Sequence, residues 1–264
     1  MVWFVTTRGA KRATVRSVPI KLVSAPVLGA QTTMAALTGQ SGWQISDIGG
    51  TSMMAYLGPD VAAGLGTPTN VQKSLGPLMQ SLHGSRSPKK WIAGHLLNAD
   101  LGGSGTDSRN LTPLTTSANR AHSTFEQHIK NMLNECRQIE VDFSSTQQTR
   151  SVAAAAAQYP FYYGVRYTVT VSSDRYADRP DPADFHSYVA SHIEIDYCFY
   201  KFKRDPYFPM MSSGPVRGAD ITANPKLVRL RSTAAPSPAH SPNITILPSN
   251  NPGLHFRARI DNEA

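Results

Sequence analysis

The sequence predicts an α+β fold built as one main domain, with an irregular N-terminal region and a mobile C-terminal tail. Three observations carry this. Residues 163–171 and 192–203 alternate apolar and polar side chains with period two, as half-buried antiparallel strands do. Residues 118–136 carry an apolar stripe at helical spacing. A chain of 264 residues with 40% hydrophobic and 17% charged side chains is long and apolar enough to bury a core, which excludes disorder throughout.

Taken in order, residues 1–24 mix basic and β-branched side chains and read as a strand or two, while 25–88, rich in Gly, Ala, Ser, Thr and Pro, read as short helices and loops. Trp91–His95 is a short apolar strand ending in Gly94-His95. Gly102-Gly-Ser-Gly105 marks a flexible loop, and Asn110–Thr112 a return strand stopped by Pro113. Thr115-Thr-Ser117 offers N-cap hydroxyls to a helix from about Ala118 to Cys136. On that helix Ala121, Phe125, Ile129, Met132 and Cys136 share one face, and Asn119, His122, Ser123, Glu126 and Lys130 form a polar stripe beside it. Such a helix can floor a polar cleft or simply present a solvated face. Residues 153–157 read as a short helix. The strands at 163–171 and 192–203 follow, joined by a connection long for a hairpin. The segments are then 1–88, basic; 89–231, the main domain; and 232–264, a Pro/Ser-rich tail.

Charge is uneven. The net charge is +8, and residues 1–90 hold nine Lys/Arg against Asp47 and Asp60, whereas 91–145 hold four bases and six acids. A basic flank beside a near-neutral segment suits a polyanion, nucleic acid above all, and equally suits a basic protein without one. No apolar run is long enough for a membrane-spanning helix. Arg8, Lys11, Arg12 and Arg16 interrupt the N-terminus before any hydrophobic signal region. Two cysteines cannot build a cysteine zinc cluster. A P-loop, a Gly-x-Ser-x-Gly elbow and a His-Glu-x-x-His motif are all absent.

The run from Trp91 to Glu126 carries a resemblance. Gly94-His95 resembles the Gly-His of the Asp-Arg-Gly-His signature of the DNA/RNA non-specific endonuclease family, within the ββα-metal nuclease superfamily. Asn110-Leu-Thr-Pro113, followed by Asn119 and Glu126, resembles that family's Asn-x-Thr-Pro…Asn…Glu block, and the whole run is similar to nuclease domains of bacterial polymorphic toxins and effectors. It covers about 36 residues of 264. One departure stands out: Ile92-Ala93 occupies the place of Asp-Arg, so the arginine's phosphate contact must come from elsewhere, with Arg86, Lys89, Lys90 and Arg120 nearest in sequence.

The resemblance implies a ββα-metal site performing metal-dependent, sequence-nonspecific cleavage of DNA or RNA. Phosphodiester hydrolysis needs an activated water and neutralisation of charge on phosphate and leaving oxygen. His95 would be the general base, and Asn119 the oxygen ligand of Mg²⁺, or Mn²⁺ in its place. Glu126 would hold metal-bound waters, Asn110 would orient the histidine loop, and His122 would contact phosphate or metal. Lys89, Lys90 and Arg120 would contact the nucleic acid backbone. Each has a plainer reading. Glu126 could pair with Lys130 at i+4, Asn110 could shape a turn, Asn98 and Asp107 could set loop geometry, and the lysines could be solvated cations. Tyr162, Tyr163, Tyr167, Tyr197, Phe199 and Tyr200 could stack bases or pack the core.

The setting implied is a toxin made in the cytoplasm without a signal peptide, exported by a secretion system and neutralised by an immunity protein, with residues 1–88 for docking or translocation or as part of the nuclease domain. The alternative is a catalytically inactive nucleic-acid-binding protein, or a structural component of a secretion system.

Overall fold

The computed structural model describes residues 4–6, 15–17, 27–28, 31–38, 44–59, 66–69, 75–84, 91–147, 161–174, 184–203, 214–231 and 243–262. The strands are β1 (Phe4–Thr6), β2 (Val15–Ser17), β3 (Val27–Leu28), β4 (Gln31–Thr38), β5 (Gln44–Gly50), β6 (Ser52–Leu57), β7 (Trp91–His95), β8 (Leu111–Thr115), β9 (Phe161–Val171), β10 (His192–Lys203), β11 (Gly214–Pro215), β12 (Ile244–Leu247) and β13 (His255–Asp261). The main helices are α1 (Gly76–Gly84) and α2 (Thr116–Gln147).

The fold is α+β. Seven antiparallel strands form the main sheet in the order β12-β13-β10-β9-β6-β3, with β11 on β10. The alternation read from β9 and β10 sets its two faces: Val165, Tyr167, Val169, Ile193, Ile195, Tyr197 and Phe199 are buried and join the main core cluster. Arg166, Thr168, Glu194 and Asp196 take the opposite parity and are half-buried. Against the inner face lies α2, whose Ala118, Ala121, Phe125, Ile129, Met132 and Cys136 are buried in the same cluster. Truncating a side chain such as Phe125 there costs about 3–5 kcal/mol.

Ahead of α2, β7 and β8 form a separate antiparallel pair, with His95 opposite Leu111 and Gly94 opposite Thr112. The helix starts directly off β8: the Ala118 N–H donates to Thr115 Oγ1 at 3.2 Å, the N-cap bond the hydroxyl cluster predicts. Asn262 fixes this corner from the other end of the chain. Its Oδ1 accepts from Thr115 N (2.8 Å), and its Nδ2 donates to the carbonyls of Pro113 and Ala190, both at 3.0 Å.

Several expectations are corrected. The C-terminal segment is not a mobile tail over residues 243–262: β13 pairs β10 on one side and β12 on the other, burying Phe256, Ala258 and Ile260. Residues 25–88 contribute strands as well as α1, since β6 pairs β9 within the main sheet and β4 pairs β5. Pro113 does not stop the return strand but sits inside β8 opposite Ala93. That is tolerable because, among the described residues, β8 pairs only with β7, which leaves its other side without ladder bonds. The helix runs well past Cys136, to Gln147. The short helix expected at 153–157 lies outside the described residues. No helix among the described residues is long and apolar enough to cross a membrane.

Candidate functional site

The site is assembled where β7 ends, α2 begins, and the connection 96–110 folds back between them. Gly94 is the closest point. A Cβ on it would lie 2.5 Å from Leu114 Cδ1 and 3.1 Å from Asn119 Oδ1, so a side chain here would crowd Leu114 and the helix-borne amide. Asn119 is half-buried and its amide has no hydrogen-bond partner among the described residues.

His95, next along the strand, is held by a segment the sequence reading passed over. Its Nε2 lies 3.1 Å from the Thr67 carbonyl, and its Nδ1 lies 3.2 Å from Thr69 Oγ1. A carbonyl only accepts, so Nε2 carries the ring proton, and in the neutral ring Nδ1 keeps its lone pair. The Thr69 hydroxyl also approaches the Ala93 carbonyl at 3.3 Å, giving its single proton two acceptors to choose between. The structure does not pair His95 directly with Asn119 or Glu126.

Glu126 is buried two turns along α2 from Asn119. Its Oε2 accepts from Asn98 Nδ2 at 2.8 Å. Its Oε1 has no hydrogen-bond partner among the described residues, and His122 Nε2 lies 4.0 Å away. The i+4 pairing of Glu126 with Lys130 does not form, because Lys130 reaches across to Asp100 Oδ2 at 2.6 Å. An orphaned carboxylate oxygen in a buried position is costly unless something fills the gap.

His122 is a core residue: it is 2% exposed and its Nε2 meets the Tyr167 hydroxyl. Burial holds its pKa below the ordinary imidazole value, with the nearby Glu126 pulling it up and His95 pushing it down, so the three groups share one electrostatic neighbourhood. Tyr167 is pushed well above the usual phenol range by the same burial and stays a neutral hydroxyl. The aromatic strand residues Tyr167, Tyr197 and Phe199 are fully buried and pack the core rather than offering faces to bases.

Asn110 is a clamp on the loop behind His95. It is 1% exposed, its Oδ1 accepts from Leu97 N, and its Nδ2 donates to the carbonyls of Leu97 and Ser104, all at 3.0 Å. Among the described residues its side-chain hydrogen bonds all go to backbone. The loop it holds is packed, not flexible: a Cβ on Gly103 would sit 1.6 Å from the Leu97 carbonyl oxygen, so only glycine fits. Asn98 and Asp107 set the local turns, their side chains accepting from Asp100 N and Arg109 N. The adjacent Arg109 holds the Asp107 carboxyl below its ordinary range, its hydrogen bond being the largest cause. Arg120 is exposed beside Asn119 and is in no ion pair among the described residues, whereas Arg86, Lys89 and Lys90 lie outside them.

Sequence reasoning missed Thr67, Thr69, Asn98 as the partner of Glu126, Tyr167 as the partner of His122, and Asn262. None of these carries a local signal, because each meets its partner across at least 26 residues of chain. No group of three or more His, Cys, Asp or Glu placed to hold a metal occurs among the described residues. The chain matches no family model, no curated protein and no solved structure.

Proposed function

We propose that β7, β8 and α2 form a ββα-metal site that hydrolyses phosphodiester bonds of DNA or RNA without sequence preference. The observation that carries this reading is the pair of oxygens left without partners among the described residues along one stripe of α2: Oδ1 of Asn119, turned toward the end of β7, and the buried Oε1 of Glu126. Hard oxygen donors of this kind suit Mg²⁺, which keeps most of its waters and needs few protein ligands. The donor set therefore fits the ion, with Asn119 as the direct ligand and Glu126 holding its waters. When bound, the ion supplies charge neutralisation at the phosphate and the leaving oxygen.

The remaining steps belong to the chain. His95, with Nε2–H donated to the Thr67 carbonyl, has its tautomer fixed so that Nδ1 is the basic nitrogen. A water replacing the Thr69 hydroxyl at Nδ1 would give up one proton there as its oxygen bonds to phosphorus, while the P–O bond to the leaving oxygen breaks and that oxygen takes a proton from solvent water. Such general-base assistance contributes roughly 10²–10⁴-fold. Asn110 keeps the 96–104 backbone in place behind the imidazole, and Asn98 orients Glu126. Arg120 stands in for the arginine that Ala93 lacks.

The test is a supercoiled-plasmid assay with Mg²⁺, with EDTA, and with His95→Ala. The reading expects magnesium-dependent loss of supercoiled DNA that the substitution abolishes. Cleavage undiminished by EDTA, or surviving His95→Ala, overturns it. The toxin setting, with an immunity protein as partner, is part of the same proposal. It expects expression in a bacterial host to be lethal, and His95→Ala to be harmless.

A further inference from the structure

On the side of the main sheet turned away from α2, register places Tyr56, Arg166, Cys198 and His255 in one row across β6, β9, β10 and β13. Above this row opens a cleft of about 480 Å³ lined by Arg166, Cys198, Arg217, Asn250, Asn251 and His255. Asp196 serves three basic side chains on this face. Asp196 accepts from Arg166 Nη2 (2.9 Å) and His255 Nε2 (3.0 Å), with Arg257 Nε at 3.5 Å. Arg217 adds an exposed guanidinium that is in no ion pair among the described residues. Counting only the three arginines against the one aspartate leaves a local charge of +2.

The wall of the cleft is built, not incidental. Asn251 Nδ2 donates to the Val216 carbonyl at 2.8 Å, and Val216 N donates to the Phe199 carbonyl at 2.9 Å, tying the Arg217 segment to both the sheet and the 249–253 turn. Burial pushes the Cys198 thiol up to about 11, so it brings no negative charge at neutral pH. Arg166 Nε is buried and has no partner among the described residues, which leaves this guanidinium only partly satisfied by Asp196.

We infer that this cleft is a binding site for a phosphate monoester, with Arg166 and Arg217 as the principal donors and Asn250 at its rim. The volume suits a small ligand or a chain end and not a duplex, and guanidinium forks match the geometry of phosphate oxygens. The inference does not rest on the nuclease reading, because none of these residues belongs to that site.

The experiment is calorimetric titration of the full chain, in EDTA and at matched ionic strength, with inorganic phosphate, a nucleoside monophosphate, and oligonucleotides bearing either a 5′-phosphate or a 5′-hydroxyl. Saturable binding of inorganic phosphate is expected. Arg217→Gln should weaken it about tenfold or more, with an unchanged melting temperature in the absence of phosphate. Arg166→Lys, which keeps the charge but loses the fork, should weaken it as well. His95→Ala should leave it unchanged. Tighter binding of the mononucleotide than of the 5′-phosphorylated strand identifies a free small molecule as the source; the reverse, with the 5′-hydroxyl strand silent, identifies a strand terminus. The inference is overturned if phosphate fails to saturate, if Arg217→Gln binds as the parent does, or if His95→Ala removes binding.

Discussion

Tyr167 on β9 and His122 on α2 share a hydrogen bond inside the helix–sheet interface, and the arrangement is repeated once. Tyr197, directly opposite Tyr167 in the sheet register, accepts or donates a 2.8 Å bond with His128 Nδ1, two turns further along the helix. Two imidazole–phenol pairs thus set the position of α2 on the sheet, and with it the position of Asn119 and Glu126. Polar pairs in a core specify one packing arrangement because any shift leaves a buried group unpaired.

Tyr167→Phe should leave His122 Nε2 buried without its partner and cost about 1–3 kcal/mol. Urea unfolding midpoints check this. The double substitution with His122→Phe should cost less than the sum of the two single changes, since both polar groups are then gone.

The same histidine makes stability depend on pH. Its folded pKa is depressed by burial, so the unfolded chain binds more protons below about pH 6.5, and stability falls as pH drops through that value. His192, depressed by burial in the same direction, adds to the slope. Unfolding free energies measured between pH 7.5 and 5.5, roughly one unit either side of the unperturbed imidazole value, should decline. His122→Gln should flatten the decline, and an unchanged slope would show that His122 does not contribute.

Asn110→Ala removes three hydrogen bonds to backbone at once and should cost about 2–4 kcal/mol, at roughly 1 kcal/mol per bond. If Asn110 only clamps the loop, cleavage by the folded fraction at low temperature should fall far less than it does for His95→Ala. A kcat comparison after correction for the unfolded fraction decides between clamp and reacting group.

Glu126→Gln should separate chemistry from folding. An amide can still accept from Asn98, so the melting temperature should stay within a few degrees, while the loss of the unpaired carboxylate oxygen should lower Mg²⁺-dependent cleavage about 10–100-fold. Full activity in this variant would remove Glu126 from the site.

How much of this was legible in the sequence follows from where the physics is local. The strands β9 and β10 and the stripe of α2 were readable because period two and period 3.6 are written in adjacent residues, and Thr115 because a cap acts within three residues. β6 was hidden because its outward positions, Met54 and Tyr56, are as apolar as its inward Met53, Ala55 and Leu57, which erases the alternation. β13 does alternate, with Phe256, Ala258 and Ile260 inward, but a Pro- and Ser-rich stretch precedes it and alanine is a weak marker of burial. Of the candidate site, His95, Asn119, Glu126 and Asn110 lie within one short segment and could be named together. Their partners Thr67, Thr69, Tyr167 and Asn262 arrive through tertiary contacts that no spacing encodes.

The most direct check is where a divalent ion settles. Mn²⁺, titrated at substoichiometric amounts into isotope-labelled protein, broadens the resonances nearest to it first. The Asn119 side-chain amide and the His95 ring should broaden together, ahead of the rest of the chain and reversibly on adding Mg²⁺. Broadening centred elsewhere, with those two signals intact, would contradict the proposed site.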